Sequence, residues 1–382
     1  MKKICYVTTV SSTLDSFVLP IVRQLVQDTD WQITMICSED DGFAAKLPAG
    51  VRYISVPMKR GISLGGIGAM LKMRKIFRKE KFDLVQYSTP NASLYASLAA
   101  KMAGVPVRLY CQWGIAYVAF GGMKRKIFKT VEKLVCRNST QIQPDSFGNL
   151  RFSRAEGLYG EEKSGVIWNG SASGVDLKKF DISHKDAWRQ EIRSLHGVEE
   201  DAFVYGFVGR INRDKGIDEL FAAYQKLCAE KENTYLMLVG RKENEQLLNQ
   251  QLYQWAMEHP RVIFCGQSSQ VEKYMSAMDV YILPSYREGF GSAVVEAEAM
   301  GVPVIVSDIP GPTDAMLAEK TGLVVKKADV DTLYQAMVRL LEDRPLCRQL
   351  GQQAFCFATE SFEQGNLVQK ILENRKELMK NT

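Results

Sequence analysis

Gly206-Phe207-Val208-Gly209-Arg210-Ile211-Asn212-Arg213-Asp214-Lys215-Gly216-Ile217-Asp218-Glu219-Leu220 is the stretch from which the rest of the chain is read. The apolar residues before Gly209 continue a run from Phe203 and predict a strand over 203–208. Beyond Gly216 apolar residues recur at helical spacing and predict a helix over 217–228. Glycines at such a turn let backbone N–H groups approach an anion at the helix start. Arg210 and Lys215 add a planar fork and a point charge, both suited to phosphate oxygens. Taken alone, a capped turn with solvated charges is the plainer alternative.

Outward from this turn, strand and helix alternate to both ends. Downstream, strands are predicted at 234–239, 262–265, 280–283 and 304–306, with a helix at 271–277 and only helix from about 331 to 380. Upstream, strands are predicted at 4–8, 33–37, 52–56, 84–87 and 107–111, with helices at 16–27, 68–79 and 93–102. Strands of this length separated by helices imply βαβ units and parallel sheets. The turn-rich segment Asn169-Gly170-Ser171-Ala172-Ser173-Gly174-Val175-Asp176-Leu177-Lys178-Lys179-Phe180 stands where the pattern restarts. A single core stops growing at about 250–300 residues, and this chain has 382. The expectation is an α/β protein of two Rossmann-like, doubly wound domains, 1–178 and 179–362, facing a cleft.

Composition narrows the classes. Hydrophobic residues make up 46% and charged residues 24%, which excludes disordered, fibrous and disulfide-scaffold proteins. The best uncharged run as a membrane candidate, 109–123, holds Gln112 and several glycines and falls short of the roughly 20 apolar residues that cross a bilayer. The N-terminus has no signal-peptide core. A cytoplasmic protein, at most peripheral on a membrane, is expected. The eight cysteines are scattered without a Cys-x-x-Cys pair, as buried free thiols would be.

Charge is unevenly placed. Residues 1–180 hold 26 Lys and Arg against 14 Asp and Glu, residues 181–382 hold 23 against 30, and the window 51–150 holds 17 against 4. A basic half joined to an acidic half suggests an anionic partner: a membrane surface, a pyrophosphate-linked acceptor or a nucleic acid. No nucleic-acid recognition module is visible, so nucleic acid is not expected. Two stretches stand out. Residues 66–82 carry Lys72, Arg74, Lys75, Arg78, Lys79 and Lys81 beside Ile67, Met70, Leu71 and Phe77. Residues 113–129 carry Trp113, Tyr117 and Phe120, then Lys124, Arg125, Lys126 and Lys129. Docking on an anionic membrane surface is expected; the alternative is that these apolar residues pack on the sheet.

A second constellation follows the strand 280–283: Glu288-Gly289-Phe290-Gly291-Ser292-Ala293-Val294-Val295-Glu296-Ala297-Glu298. Gly289 and Gly291 frame a loop whose amides can face a phosphate or a sugar hydroxyl. Eight helical steps leave an angular offset of about 80°. Glu288 in the loop and Glu296 in the helix could therefore reach one ligand at different depths. Carboxylates are acceptors only, which suits hydroxyl donors. Glu298 is expected to be a solvated helix residue. The first strand ends in Thr8-Thr9-Val10-Ser11-Ser12, Gly65-Gly66-Ile67-Gly68 lacks the Gly-x-Gly-x-x-Gly spacing, and no Walker loop is present. A nicotinamide or flavin cofactor is therefore not expected.

The pair Glu288…Glu296 around Gly289-Phe290-Gly291, the Gly209-Arg210…Lys215-Gly216 turn, and Gly174-Val175-Asp176…Phe180 together resemble retaining glycosyltransferases of family 4, which have the GT-B architecture. The resemblance spans nearly the whole chain. It is closest to the bacterial capsular and exopolysaccharide branch, through 206–220, Gly170-Ser171…Gly174-Val175-Asp176 and Ser307-Asp308-Ile309-Pro310-Gly311. It implies a donor site in which Gly209, Arg210 and Lys215 bind the donor diphosphate and Glu296 holds the ribose hydroxyls. Glu288 and the amides of Phe290 and Gly291, beside Gly289, hold the donor sugar. The base lies near Phe264-Cys265-Gly266-Gln267. It also implies that 363–382 crosses back onto the N-terminal domain.

The implied reaction moves a hexose or N-acetylhexosamine from a UDP-sugar to a lipid-linked, polyprenyl diphosphate saccharide. The nucleotide leaves from the front face and its phosphate takes the acceptor proton, so catalysis rests on leaving-group stabilisation by Arg210 and Lys215, with Glu288 beside them. No cofactor and no metal are implied. Two departures stand out. Relatives carry a glycine-rich loop after the first strand, where this chain has Thr9-Val10-Ser11-Ser12-Thr13, so hydroxyls of Thr9 and Ser11 would replace amides. The branch often has His-Gly after the fifth strand, where this chain has Cys111-Gln112-Trp113-Gly114. Gln112 could replace a hydrogen bond there, and Trp113 could stack on a sugar ring. The rival readings are a catalytically silent nucleotide-sugar-binding regulator or scaffold and a nucleotide-sugar epimerase on the same fold.

Overall fold

The computed structural model describes residues 1–58, 65–380 and 382. The chain forms two compact units: Met1–Ser173 with Gly365–Thr382, and Gly174–Gln364.

The first unit is built on a parallel sheet of β1 (Lys3–Val7), β2 (Gln32–Cys37), β3 (Arg52–Ser55), β4 (Leu84–Tyr87), β5 (Val107–Gln112) and β6 (Gln141–Pro144), in the order β3-β2-β1-β4-β5-β6. β1 pairs with both β2 and β4, Ile4 lying opposite Ile33 and Leu84. Helices cover both faces, so the central strands are buried on both sides and read as continuous apolar runs. One face packs Cys5, Val7, Val85 and Tyr87 against the helices Gly65–Glu80, Pro90–Ala103 and Gly122–Asn138. The other packs Ile4, Tyr6, Leu84 and Leu109 against Leu19–Asp28 and against Leu367, Val368, Ile371 and Leu372 of the helix Gln364–Leu378.

That last helix is fastened by Arg375, which is 1% exposed. Its guanidinium donates to Gln86 Oε1 at 2.9 Å, to Gln143 Oε1 at 2.8 Å and to Asn374 Oδ1 at 2.6 Å. The strand residues Gln86 and Gln143 are thus the acceptors that make a buried guanidinium tolerable.

The second unit repeats the plan with β7 (Phe203–Val208), β8 (Thr234–Val239), β9 (Val262–Gly266), β10 (Val280–Leu283), β11 (Val304–Ser307) and β12 (Gly322–Val325), in the order β12-β11-β10-β7-β8-β9. In each sheet the first strand lies between the second and the fourth. That is the doubly wound order, with its switch point at β1/β4 and at β7/β10.

Several expectations needed correction. The helix expected at 16–27 is two helices, Ser11–Phe17 and Leu19–Asp28, parted at Val18 because Pro20 occupies the first turn of the second. The edge strands β6 and β12 were not expected. β6 is Gln-Ile-Gln-Pro, with one apolar residue in four. The division between units falls after Ser173, within the turn-rich segment 169–180. Val175 N–H donates to Phe362 O at 2.8 Å and Gln364 N–H to Val175 O at 2.9 Å, which ties the segment after Gly174 to the second unit.

Candidate active site

The site is assembled at the switch point of the second sheet, where ligands of open α/β sheets bind beyond the strand carboxyl ends. β7 leads into Gly209-Arg210, and β10 leads through Pro284-Ser285 to Glu288. A single-turn helix, Arg213–Lys215, separates Arg210 from Gly216; Asn212 Oδ1 accepts from Lys215 N–H at 3.3 Å and caps it. Gly216 has φ +70°, and a Cβ there would stand 2.0 Å from Pro284 O. Only glycine lets the two loops approach this closely. Asp214 fastens them further: its carboxylate pairs with Arg287 at 2.6 Å and its carbonyl accepts from Tyr286 N–H at 2.9 Å.

This packing brings Lys215 and Glu288 together. Lys215 Nζ donates to Glu288 Oε1, and both side chains are mostly buried. Ser285 Oγ donates to the same oxygen at 2.7 Å. Both bonds land on Oε1. Arg210 is half exposed and donates to Glu243 Oε2 at 2.9 Å; Arg241 pairs with the other oxygen of that carboxylate. Glu243 and Ser285 were missed from sequence. Glu243 acts on Arg210, 33 residues away in the chain, and a lone Ser285 three residues before Glu288 carries no distinctive signal.

Gly291 starts the helix Ser292–Ala299 in the left-handed region, with φ +90°. Phe290 turns its ring inward against Phe362, centroids 5.2 Å apart, which anchors the Gly289-Phe290-Gly291 loop. A Cβ on Gly311 would meet Gly289 O at 2.1 Å, so the Pro310-Gly311 turn buttresses the same loop. Glu296 lies further into the helix. Burial pushes its carboxyl up to about 7, against the pull of Lys179 and with a smaller push from Glu272. The phenol of Tyr281, on β10, is raised by its own burial and then by the charges of Glu288 and Glu296. Gly266 closes β9 in the left-handed region, and its carbonyl accepts from Gly240 N–H at 2.7 Å.

The described structure thus brings Gly209, Arg210, Lys215, Glu288, Gly289, Phe290, Gly291 and Glu296 to one end of one sheet. Glu298 differs from expectation. It is fully buried, and that burial pushes its carboxyl well above the usual carboxylate range. The helix is enclosed on nearly every side, with Val294, Val295, Ala297 and Ala299 also buried.

In the first unit the expected ligand groups are already engaged. Gln112 is fully buried. Its Nε2 donates to Glu132 Oε1 at 2.6 Å, and its Oε1 accepts from Tyr159 at 2.7 Å and Ser153 at 3.1 Å. It therefore holds the helix Gly122–Asn138 to the sheet and does not stand in for a histidine facing a ligand. Thr9 is likewise occupied: its hydroxyl lies 2.8 Å from that of Thr89 and accepts from Ala92 N–H at 3.3 Å. Ser11 Oγ donates to Asp40 at 2.5 Å, which holds that carboxyl below its ordinary range. Trp113 is half-buried with its ring 5.3 Å from Phe17, and it lines a cavity of about 30 Å³ beside Gln143 and Arg375. Among the described residues, no three His, Cys, Asp or Glu side chains are grouped to hold a metal ion.

Two family profiles cover the chain: glycosyl transferase 4-like over residues 3–146 and glycosyl transferases group 1 over residues 189–355. The capsular polysaccharide biosynthesis glycosyltransferase CapM of Staphylococcus aureus is 30% identical over 297 residues, 78% of this chain and 77% of that one. The chain belongs to the family 4 glycosyltransferases. Another relative is the Escherichia coli UDP-Gal:alpha-D-GlcNAc-diphosphoundecaprenol alpha-1,3-galactosyltransferase, 28% identical over 335 residues, 85% of this chain and 83% of that one. The GT-B fold of the family is matched by the solved structure of Anabaena Alr3699/HepE in complex with UDP. It aligns with a TM-score of 0.79 at 19% identity, covering 99% of this chain and 100% of that one.

Proposed function

We propose that this chain is a retaining, metal-independent hexosyltransferase. It takes a hexose or N-acetylhexosamine from a UDP-sugar and places it on a lipid-linked, polyprenyl diphosphate saccharide in the assembly of a cell-surface polysaccharide. The observation that carries this reading is the Lys215–Glu288 pair with Arg210 beside it at the β7/β10 switch point. The cations stabilise charge developing on the departing diphosphate. Glu288 Oε2 accepts from a hydroxyl of the donor sugar, and Glu296 accepts from the ribose hydroxyls. The leaving phosphate takes the acceptor proton on the face it departs from, so no side chain of the first unit is needed as a base. That agrees with the full engagement of Gln112. The E. coli relative, named for a UDP-galactose donor and a diphosphoundecaprenol-linked acceptor, supports the substrate classes.

The test is incubation with a panel of UDP-sugars, with and without a polyprenyl diphosphate saccharide, in buffer containing EDTA. Acceptor-dependent UDP release and a product with the donor's anomeric configuration are expected. An inverted product or loss of activity in EDTA overturns the corresponding part. Binding without turnover identifies a silent binder, and sugar interconversion without acceptor identifies an epimerase.

The membrane part of the proposal changes in detail. No helix among the described residues is long and apolar enough to cross a membrane. Phe77 and Tyr117 are buried in the first unit's core and cannot insert. The helix Gly65–Glu80 instead exposes Ile67 and Leu71 beside Lys75 and Lys79. The helix Gly122–Asn138 exposes Met123, Ile127 and Leu134 beside Lys124, Lys126, Lys133 and Arg137. Lys72 is tied to Ser55 O at 2.9 Å. Each cation near an anionic surface contributes about 1 kcal/mol. Reversing Lys75, Lys126 and Lys133 to Glu is therefore expected to weaken binding to phosphatidylserine vesicles by more than about tenfold, with UDP affinity unchanged. Equal sedimentation with neutral and anionic vesicles would sink electrostatic docking.

A further inference from the structure

The turn that carries Arg210 is laced to the loop that follows β8. Gly209 N–H donates to Val239 O at 2.9 Å, Ile211 N–H to Arg241 O at 2.9 Å, and Glu243 N–H to Ile211 O at 3.0 Å. A Cβ on Gly240, at φ +146°, would collide with Gly209 O, so the two backbones touch. Lys242 bridges to Ile211 and lies over the Phe264 ring, 4.7 Å from its centroid. Its neighbours Arg241 and Glu243 meet each other instead, as alternation along an extended segment dictates. Glu243 Oε2 also accepts from Arg210 Nη1 at 2.9 Å. Glu243 is mostly buried, and both guanidiniums are about half exposed. One carboxylate thus holds two arginines, and one of them is the cation assigned to the diphosphate.

We propose that Glu243 is a positioning residue that acts through Arg210: it pairs with the guanidinium before the nucleotide binds, yields it to the diphosphate, and takes it back as UDP leaves. The inference rests on the reading of Arg210 as a diphosphate ligand. An ion pair this exposed is weak, whereas a phosphate gives a guanidinium a bidentate, charge-assisted contact, so exchange runs toward the nucleotide. Arg241 makes the exchange tolerable. When Arg210 turns to the diphosphate, Glu243 keeps one cation, and a mostly buried carboxylate left with none is costly. Glu243 therefore competes with the diphosphate and loosens the hold on the product. This has a signature that a structural role does not produce, because losing a structural contact weakens a ligand and losing a competitor strengthens it.

The experiment is calorimetric titration of the full-length protein with UDP at one pH and ionic strength. The proteins are wild type, Glu243→Gln, Arg210→Ala, Arg241→Met, and the doubles Arg210→Ala/Glu243→Gln and Arg241→Met/Glu243→Gln. Glu243→Gln is expected to bind UDP about threefold tighter, within the range of an exposed ion pair. Arg210→Ala is expected to bind it about tenfold weaker or more, the scale of lost hydrogen bonds to a charged group. In the Arg210→Ala background Glu243→Gln should bring no gain, since there is no guanidinium left to release. Arg241→Met should weaken UDP, because Glu243 then rests on Arg210 alone, and that loss should vanish in the double with Glu243→Gln. Unchanged or weaker binding in Glu243→Gln overturns the proposal. So does an equal gain with and without Arg210, which would show general repulsion of the ligand in place of exchange. A loss in Arg241→Met that persists without Glu243 overturns the part given to Arg241. Arg210→Ala separates the two readings. If it keeps wild-type UDP affinity, the diphosphate assignment itself fails. If it weakens UDP while Glu243→Gln brings no gain, only the present proposal fails.

Discussion

Lys215→Ala is expected to lower kcat by about 10²-fold or more, the scale of removing one charge stabiliser from a developing anion. The ammonium sits against Glu288 in a mostly buried place at the β7/β10 switch point, where electrostatic interactions are stronger than in water. Substitution removes the cation that meets the departing diphosphate and leaves the Glu288 carboxylate with only the Ser285 hydroxyl, at 2.7 Å. An unpaired buried charge is costly, so the double variant Lys215→Met/Glu288→Gln should recover thermal stability but not turnover. Arg210→Ala should lose a similar factor in rate. Arg210 is half exposed and shares Glu243 with Arg241, so its loss should leave the melting temperature nearly unchanged. Turnover close to wild type in either single variant removes that residue from leaving-group stabilisation.

Glu296→Gln is expected to weaken UDP binding by about tenfold or more, the scale of losing hydrogen bonds to a charged acceptor, and at the same time to stabilise the fold. The folded carboxyl titrates near 7, above the unfolded value of about 4.3. A raised carboxyl favours the folded state fully below the unfolded pKa, and that contribution is lost as pH rises toward the folded one. Above pH 7 wild type therefore carries the whole cost of ionising Glu296, and the glutamine does not. Allowing for partial solvent contact, a gain of about 1–3 kcal/mol at pH 8 is expected, vanishing near pH 4. Glu288→Gln should instead spare UDP binding and impair transfer. Calorimetry with UDP alone decides between the two carboxylates; the reverse pattern exchanges their roles.

What the sequence made legible follows from how local each signal is. The turn 206–220 announces itself because an apolar strand, a glycine and an amphipathic helix are contiguous there. β7 and β8 are read correctly to the residue for the same reason, being apolar through nearly their whole length. β6 is not legible because an edge strand need not be apolar, and its Gln143 serves hydrogen bonding: it meets Arg375 and Asn374, more than two hundred residues away in the chain. The candidate site divides similarly. Arg210, Lys215, Glu288 and Glu296 sit in recognisable patterns. Gln112 misleads because the motif position names a place in the chain and not a direction. On β5 it shares its face with Tyr110, and both reach Glu132. Glu298 misleads differently, since a carboxylate two residues from Glu296 points about 200° around the helix, and nothing local says that this side too is covered.

The path of the chain bears on the order in which it can fold during synthesis. The second unit is one unbroken segment, Gly174–Gln364, whose two ends meet where Val175 bonds to Phe362 and Gln364. The first unit is not continuous, because it needs Gly365–Thr382. Domains made first usually fold first on the ribosome, yet here the earlier half emerges without the helix that covers one face of its sheet. Until that helix arrives, Gln86, Cys111 and Gln143 line an open slot awaiting Arg375. The later unit can close on its own sequence, so the amino-terminal sheet reaches its final packing only after Gly365–Thr382 has been made.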